Sequence, residues 1–516
     1  MNLEAGGQPG SEIRRLRGEA EALRRNGQFR EAGRLLNQAL ALDPRNASTI
    51  LEIGRVLNAE DRKSEAIDAF KAALRVRPEL TEGWFELGNC HAAMADYQPA
   101  RAALQQARSL APRDPGPTAS LAYLEVRQGN YATARELARE ALNREADHPL
   151  ASLAMADADL NARDFDSART RLEEFLARMP QIDELRQIAY GLLGDALDGL
   201  GQVDAAFAAY GQMNELFERL HAPRFASNDP ARNHLEFVRR LTSWFERQDE
   251  RVWQKPAVVT GEASPAKRHI FLFGYPRSGT TLAENVLATL PDVRALEERP
   301  TLQEADLALL RNEQALDLLA GLESGLAENL RSAYWQRVRA EVPDFAGRIF
   351  VDKAPLHGIK LPMISRLFPD AVYVLCRRDP RDVVLSCFRR NFRPNAATYQ
   401  MTNLANIARH YSAVMQLMEL HLKVLPLQVH TLDYRALVED FEGTTRALAG
   451  FVGAQWSEAA FGFHRTAGER NVRTASAPQV RRGLYDGTRQ WWRYRAYMDP
   501  VLPVLEPWVT RFGYDV

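Results

Sequence analysis

Apolar and small positions in the first 220 residues recur every 34 residues. One series of alanines follows a bulky residue by three positions in each unit: Ala32, Ala66, Ala100, Ala134 and Ala168 after Phe29, Lys63, Tyr97, Tyr131 and Phe165. A second small series and a proline series keep the same period: Ala39, Ala73, Ala107 and Ala141, then Pro44, Pro78, Pro112 and Pro180. The pattern predicts helix pairs of the tetratricopeptide type, each burying its apolar face against the next pair.

A looser unit with Ala206 after Val203 follows the fifth repeat and is expected to cap the array. We therefore place an all-α solenoid at residues 12–220. Residues 221–267 are expected to form a helical linker, with one helix from His234 to Trp253 and loop composition from Lys255 to Lys267. Residues 268–516 are assigned to a separate domain.

Short apolar segments alternate with helical patterns in this last domain. They predict buried strands at Ile270–Phe273, Arg348–Val351, Ala371–Cys376 and Val429–Tyr434, and a turn at Thr289–Arg294. Strands that alternate with helices indicate an α/β fold with a parallel sheet, whose chemistry lies at the carboxyl ends of the strands.

The first strand leads into a small-residue loop and then a helix. This loop matches the phosphate-binding pattern G-x-x-x-x-G-K-[ST] at Gly274, Gly279 and Thr281, but Thr280 stands at the lysine position. The missing lysine argues against a nucleoside triphosphatase. Arg277 offers a planar guanidinium for a terminal phosphate, and the helix start offers backbone N–H groups. An ordinary turn with a solvated arginine is the competing interpretation.

Composition narrows the class of protein. The chain has 516 residues, of which 46% are hydrophobic and 26% charged, and 66 basic against 67 acidic residues give a net charge of -1. Such balance gives no reason to expect nucleic acid as a partner. Three cysteines suit a cytoplasmic, reducing compartment and supply no metal-ligand spacing. No apolar run predicts a membrane span.

Two phosphate-binding motifs in order carry a family resemblance. Tyr275–Thr281 resembles the 5′-phosphosulfate loop of sulfotransferases, and Arg378–Ser386 resembles their 3′-phosphate motif. With Glu297–Glu298 and Asp352–Lys353, the order resembles the tyrosylprotein sulfotransferase branch and bacterial relatives fused to tetratricopeptide repeats. The resemblance implies a P-loop-like parallel sheet of the sulfotransferase type and the donor 3′-phosphoadenosine 5′-phosphosulfate (PAPS), with no metal.

The resemblance also implies individual roles. It assigns PAPS binding to Arg277, Ser278, Gly279, Thr280, Thr281, Arg378, Ser386, Arg390 and Tyr434. It assigns catalysis to three residues: Glu298 as base, Lys353 beside the leaving phosphate, and Ser476 near the sulfuryl group. Glu297 is the fallback for the base. Trp491 stands where the tyrosylprotein enzymes have a lysine, with Arg481, Arg482, Arg489 or Arg493 as replacements, and His357 stands where bacterial relatives often have asparagine.

Sulfuryl transfer to a hydroxyl or amine acceptor is thus the predicted activity, and the repeats are expected to recruit a protein or peptide. A homodimer, and the choice among a protein tyrosine, carbohydrate, lipid or small phenol as acceptor, stay open. Two alternatives remain: a small-molecule kinase-like nucleotide enzyme, and a non-catalytic repeat scaffold with a degenerate nucleotide-binding domain.

Overall fold

The computed structural model describes residues 9–178, 183–254, 264–470, 474 and 476–515. Pro180 of the predicted series, and most of the predicted loop between 255 and 267, lie outside these ranges. The chain divides into two compact units, Met1–Met179 and Pro180–Val516. In the described part, no helix combines the length and the apolar character that a membrane crossing requires.

The first unit consists of consecutive helix pairs. Its helices are α1 (Pro9–Arg25), α2 (Phe29–Leu42), α3 (Ala47–Ala59), α4 (Lys63–Val76), α5 (Thr81–Ala93), α6 (Tyr97–Leu110), α7 (Pro115–Gln128), α8 (Tyr131–Arg144), α9 (Pro149–Asn161) and α10 (Phe165–Arg178). The second helix of each pair begins at the bulky residue of the 34-residue pattern. The alanines three residues later, and those of the second small series, are completely buried. The predicted helical repeat is confirmed, and alanine is needed where neighbouring helices approach closely.

The second unit begins with one more helix pair, α11 (Asp183–Gly199) and α12 (Val203–Phe225). The sequence pattern counted this pair with the repeats and placed the domain boundary near residue 220. Contacts place the pair in the second unit. The two divisions differ because the first follows the repeat pattern of the sequence. The second follows the contacts that the helices make in the structure.

A five-stranded, wholly parallel sheet forms the centre of the second unit. Its strands are β1 (Arg268–Gly274), β2 (Val293–Glu297), β3 (Ile349–Lys353), β4 (Val372–Arg377) and β5 (Val429–Asp433), in the spatial order β2-β3-β1-β4-β5. The predicted α/β class and four predicted strands are confirmed. Central β1 has β3 on one side and β4 on the other, so three polar strand ends meet at one edge.

The expected turn at Thr289–Arg294 is wrong in its second part, because β2 begins at Val293. This strand is short, lies at the edge of the sheet and carries Arg294 and Glu297 among apolar residues. Because several of its positions are partly exposed and polar, β2 lacks the continuous apolar run by which a buried strand is recognised. The omission matters because β2 delivers Glu297 and the residue after it, Glu298, to the carboxyl edge.

The remaining helices surround this sheet. They are α13 (His234–Glu246), α14 (Glu250–Gln254), α15 (Thr280–Ala288), α16 (Gln303–Leu309), α17 (Glu313–Ala320), α18 (Ser324–Glu341), α19 (Leu361–Leu367), α20 (Pro380–Phe388), α21 (Leu404–Val424), α22 (Tyr434–Glu439), α23 (Phe441–Val452), α24 (Phe463–Glu469), α25 (Ala477–Val480), α26 (Arg495–Met498) and α27 (Leu502–Arg511). The single helix expected from His234 to Trp253 is two helices, α13 and α14.

A glycine in the repeats tests the packing argument. A Cβ atom on Gly54 in α3 would lie 2.4 Å from the buried Phe70 ring of α4, whereas one on Gly33 in α2 would meet no atom within 4 Å. Gly54→Ala should destabilise its helix pair by about 1–3 kcal/mol through overpacking. Gly33→Ala should stabilise by up to about 1 kcal/mol through helix propensity.

Hydrogen exchange in the full chain would measure both effects, on the α3 and α4 amides for Gly54→Ala and on the α1 and α2 amides for Gly33→Ala. Unchanged protection of α3 and α4 in Gly54→Ala would contradict the close approach of these two helices.

Candidate active site

The loop after β1 is held in a conformation that suits an anion. Arg277 and Gly279 have left-handed backbone, with φ of 73° and 98°, and α15 begins at Thr280. The first N–H groups of a helix lack partners within the helix and carry its positive dipole end. The Ser278 Oγ atom is buried, and no partner for it is found in the described part of the chain. A phosphate oxygen would satisfy both kinds of donor.

Gly274 fixes how closely this loop lies on the sheet. A Cβ atom there would stand 2.4 Å from the carbonyl oxygen of Cys376 at the end of β4, and 2.4 Å from Ser278 Oγ. A side chain would therefore push the loop off the strand edge. Glycine at this position is a packing requirement as well as a turn preference.

Arg277 is the centre of the loop and is buried. Its Nε donates to Ser386 Oγ at 3.0 Å, and its two Nη atoms donate to Ser476 Oγ and Gln479 Oε1. These acceptors are neutral. Burial, together with the nearby charge of Arg390 and Arg378, lowers the pKa of Arg277 to about 9. A buried cation beside other cations favours the arrival of an anion.

Arg378 lies at the end of β4, next to this loop. Its Nη1 donates to the Arg277 carbonyl oxygen at 3.2 Å, its Nη2 donates to the Gly487 carbonyl oxygen at 2.5 Å, and its guanidinium sits 5.0 Å from the centre of the Tyr434 ring. Tyr434 in turn donates to the Tyr485 carbonyl oxygen at 2.5 Å. The structure thus brings together Arg277, Arg378, Ser386, Tyr434 and Ser476 from segments far apart in the chain.

Two other predicted residues lie at the margins of this cluster. Thr281 shares a 3.2 Å hydrogen bond with Thr474. Arg390 follows the end of α20, and its nearest carboxylate is Asp195, at 3.7 Å between Nη1 and Oδ2. Its Nε atom is buried with no partner in the described residues. Arg390 therefore adds positive charge near Arg277.

Lys353 forms a second cluster, rich in carboxylates. It is fully buried at the end of β3, with Nζ 2.8 Å from Glu298 Oε1, 3.4 Å from Glu284 Oε2 and 3.8 Å from Glu297 Oε1. Although burial acts to lower it, the three carboxylates raise the pKa of Lys353 above its ordinary value. Lys353 therefore stays cationic at any physiological pH.

The geometry distinguishes the two adjacent glutamates. Glu298 has left-handed backbone with φ of 42°, and its N–H donates to the Lys353 carbonyl oxygen at 2.8 Å. Its side chain is 40% exposed, against 13% for Glu297. A base must reach an incoming hydroxyl, so Glu298 is the better placed of the two. The strained backbone is the kind of feature found at functional sites.

Sequence reasoning missed two members of this cluster. Glu284 in α15 is completely buried, and Arg470 Nη2 donates to it at 2.8 Å and to the Ala295 carbonyl oxygen at 2.7 Å. Burial raises the pKa of Glu284 despite Lys353 and Arg470. The sequence did contain a signal for Glu284, because Glu284 and Asn285 are polar residues in the otherwise apolar middle of α15.

His357 belongs to a buried hydrogen-bond network around Asp352. Its Nε2 lies 3.2 Å from Asp352 Oδ1, while Thr301 and Tyr334 donate to Asp352 Oδ2 at 2.7 and 2.9 Å. Although burial acts to raise it, His357 and the hydrogen bonds keep the pKa of Asp352 below its ordinary value. This network anchors the residue before Lys353.

Trp491, where the resemblance leads one to expect a lysine, is a buried packing residue. The Arg381 guanidinium lies 4.3 Å from its ring centre, and the backbone N–H of Trp491 donates to Asp382 Oδ1 at 2.9 Å. Arg489 instead lines a cavity of about 770 Å³ together with Arg378, Tyr434 and Trp492. Among the four arginines considered as replacements, Arg489 is therefore beside the predicted nucleotide residues. The described residues contain no group of three side chains suited to a metal ion.

The domain is a parallel α/β sheet whose central strand leads into a loop and a helix start, an arrangement that suits an anion. Residues 269–458 match the model of the Sulfotransferase family, and residues 17–79, 51–115 and 125–188 match Tetratricopeptide repeat models. The chain thus combines a sulfotransferase-family domain with tetratricopeptide repeats, and the predicted combination of these two kinds of domain is confirmed.

Relatives agree with this assignment. A putative protein-tyrosine sulfotransferase of Caenorhabditis briggsae is 25% identical over 254 residues, 48% of this chain and 89% of that protein. Protein-tyrosine sulfotransferase 1 of Homo sapiens is 32% identical over 126 residues, 23% of this chain and 34% of that one. An uncharacterized protein of Aquifex aeolicus (strain VF5) is 27% identical over 350 residues, 64% of this chain. The match spans 43% of that protein's length.

Replacing Lys353 tests the carboxylate cluster. Lys353→Met should cost about 3–5 kcal/mol of unfolding free energy at neutral pH, because buried Glu284 loses a cation. The folded-state pKa of Glu284 is already above its ordinary 4.5 and should rise further. The folded variant then binds a proton more readily than the unfolded chain, so the loss should shrink as pH falls from 7 towards 5.

Chemical denaturation at both pH values measures this effect. Lys360→Met is a matched control, because Lys360 makes a more exposed pair with Asp306 at 2.6 Å and should cost at most about 1 kcal/mol. A Lys353→Met loss that does not depend on pH would contradict the role given to Glu284.

Proposed function

We propose that the chain is a sulfotransferase that uses PAPS as the donor and a hydroxyl or amine as the acceptor. The observation that carries the proposal is the pairing of two cation-rich positions, Arg277 after β1 and Arg378 after β4. They lie beside the ion pair that Lys353, at the end of β3, makes with Glu298, which follows β2. Two anion positions at neighbouring strand ends suit a nucleotide with separate 5′ and 3′ charges. The donor, when bound, supplies an activated sulfuryl group.

The residues present fit such a donor. The buried Ser278 Oγ, the N-terminal amides of α15 and Arg277 are donors for the 5′ end, and Thr280 and Thr281 lie at the same helix start. Arg378, Ser386 and Arg390 are the candidates for the 3′-phosphate, with Tyr434 packed under the Arg378 guanidinium. Buried Arg277 and Arg378, whose hydrogen-bond acceptors are neutral, support an anionic ligand and disfavour an uncharged one.

Three residues act on the reacting atoms in this proposal. Glu298 accepts the proton that the acceptor hydroxyl loses as its oxygen bonds to sulfur. Lys353, fixed by its carboxylates, balances the charge that develops on the leaving 5′-phosphate oxygen, and Ser476 donates a hydrogen bond there. Sulfuryl transfer resembles phosphoryl transfer in that the protein mainly positions groups and stabilises charge.

The proposed acceptor and partner are supported by the relatives and by the repeats. Relatives named protein-tyrosine sulfotransferases favour a tyrosine in a protein or peptide as the acceptor. Tetratricopeptide repeats commonly bind proteins or peptides through an extended surface. We propose that the repeats recruit the acceptor polypeptide. A cytoplasmic location stays a prediction.

Binding and turnover test the donor. The protein should bind PAPS more tightly than ATP and should release 3′-phosphoadenosine 5′-phosphate when a tyrosine-containing peptide pool is added. A product heavier by one SO₃ unit, found by mass spectrometry, would identify the acceptor. Tighter binding of ATP would favour the kinase-like alternative, and PAPS binding with no transfer to any acceptor would favour the scaffold.

Replacing Glu298 tests the base. Glu298→Gln should lower kcat by about 10²–10⁴-fold, since the amide accepts no proton. It should leave PAPS affinity unchanged, because the amide oxygen still accepts from Lys353 Nζ. Glu297→Gln, a neighbour that also lies near Lys353, is the matched control and should retain most activity. The reverse result would transfer the role to Glu297.

A further inference from the structure

The helix pair α11–α12 packs against the carboxyl end of α20 and forms hydrogen bonds with the residues there. Asn214 Nδ2 in α12 donates to the Phe388 carbonyl oxygen at 2.9 Å, and Gln187 Nε2 in α11 donates to Asn391 Oδ1 at 2.7 Å. Both side chains are buried. The Phe207 ring also stacks on Phe388, with ring centres 4.8 Å apart. These contacts fix where α20 ends.

Asp198 in α11 is the most connected group in this interface. Its carboxylate accepts from Arg389 Nη2 at 2.6 Å and from the Tyr494 hydroxyl at 2.7 Å, and it lies 3.0 Å from Arg493 Nη2. Arg389 lies between the Tyr210 and Tyr494 rings, at 5.4 and 5.5 Å from their centres. Asp198 therefore joins α11 to both the end of α20 and the C-terminal segment.

Asp195, one turn earlier in α11, faces the next arginine. Its Oδ2 lies 3.7 Å from Arg390 Nη1, and its Oδ1 accepts from the Tyr210 hydroxyl at 2.7 Å. Two acidic residues of α11 thus meet two consecutive arginines that follow α20. Without Asp198, Arg389 would lose the carboxylate that fixes its direction, and without Asp195, Arg390 would lose the carboxylate that it faces.

The position of α20 matters because it carries the proposed 3′-phosphate residues. Arg378 stands just before the helix, Ser386 lies in its last turn, and Arg390 follows it. Ser386 Oγ also accepts from Arg277 Nε at 3.0 Å, so a shift of α20 would disturb both anion positions. Small displacements at such a site are costly.

We propose that Asp198 and Asp195 are positioning residues that hold α20 and Arg390 in place for the donor's 3′-phosphate. The proposal rests on the proposed function. It gives the helix pair that continues the repeat pattern a direct part in donor selection. The pair belongs to the donor-binding domain in function as well as in its contacts.

Affinities for two nucleotides separate this role from general stability. We would measure binding of 3′-phosphoadenosine 5′-phosphate and of AMP, which lacks the 3′-phosphate, to the full chain by calorimetry. Asp198→Asn keeps the size of the side chain but removes its charge. It should reduce the preference for the 3′-phosphorylated nucleotide by about tenfold, with AMP affinity nearly unchanged. Asp195→Asn should act in the same direction, through Arg390.

Asp204→Asn is the matched control. Asp204 also lies in this helix pair and accepts from the Tyr497 hydroxyl at 2.7 Å, but it pairs with neither Arg389 nor Arg390. The preference of Asp204→Asn for the 3′-phosphorylated nucleotide over AMP should equal that of the wild type. If Asp198→Asn does not fold, Asp195→Asn decides the question, because the Tyr210 hydroxyl can still donate to its amide oxygen.

The outcomes distinguish the two levels of the proposal. A wild-type chain that binds neither nucleotide would overturn the proposed function and this inference with it. A wild type that prefers the 3′-phosphorylated nucleotide, with the same preference in Asp198→Asn and Asp195→Asn, would overturn the inference alone. A reduced preference in either variant, with Asp204→Asn unaffected, supports it.

Discussion

Burial of the Arg277 guanidinium is the constraint on which the site depends. A cation taken out of water is costly unless charge or hydrogen bonds compensate it. The compensation here comes from the neutral oxygens of Ser386, Ser476 and Gln479, which belong to α20 and to the C-terminal segment. The loop, α20 and that segment are therefore held together by one side chain. Neutral partners leave the charge itself unbalanced, and an anion is the natural complement.

Lys353 shows the opposite arrangement at a neighbouring strand end. Its charge is met by the carboxylates of Glu284, Glu297 and Glu298, and Arg470 supports the most buried of them. A lysine held so tightly is a fixed point charge with its own counter-ions. The sheet edge thus carries a cation-rich part around Arg277 and Arg378, and next to it a part around Lys353 in which opposite charges are paired.

The sequence predicted the parts of this molecule that depend on local pattern. The 34-residue repeat located the start of each second helix, and apolar runs located four of five strands. It did not reveal β2, because Arg294 and Glu297 break the apolar run of an edge strand. Asp198 and Arg470 also escaped notice, since an ion pair across the fold leaves no trace in spacing, and the only sequence sign of Glu284 was its polar interruption of the apolar α15. The sequence therefore predicted the polar residues at the ends of strands better than the residues that pair with them in the fold.

The helix pair α11–α12 shows why a repeat boundary need not be a domain boundary. Its looser sequence pattern, with Ala206 after Val203, was counted with the repeats, yet side chains of the pair meet the end of α20. A terminal repeat needs some surface to cover its last apolar face. Phe207 and Asn214 use the end of α20 for that purpose. Since α20 also carries Ser386, this interface within the second unit bears directly on the position of Ser386.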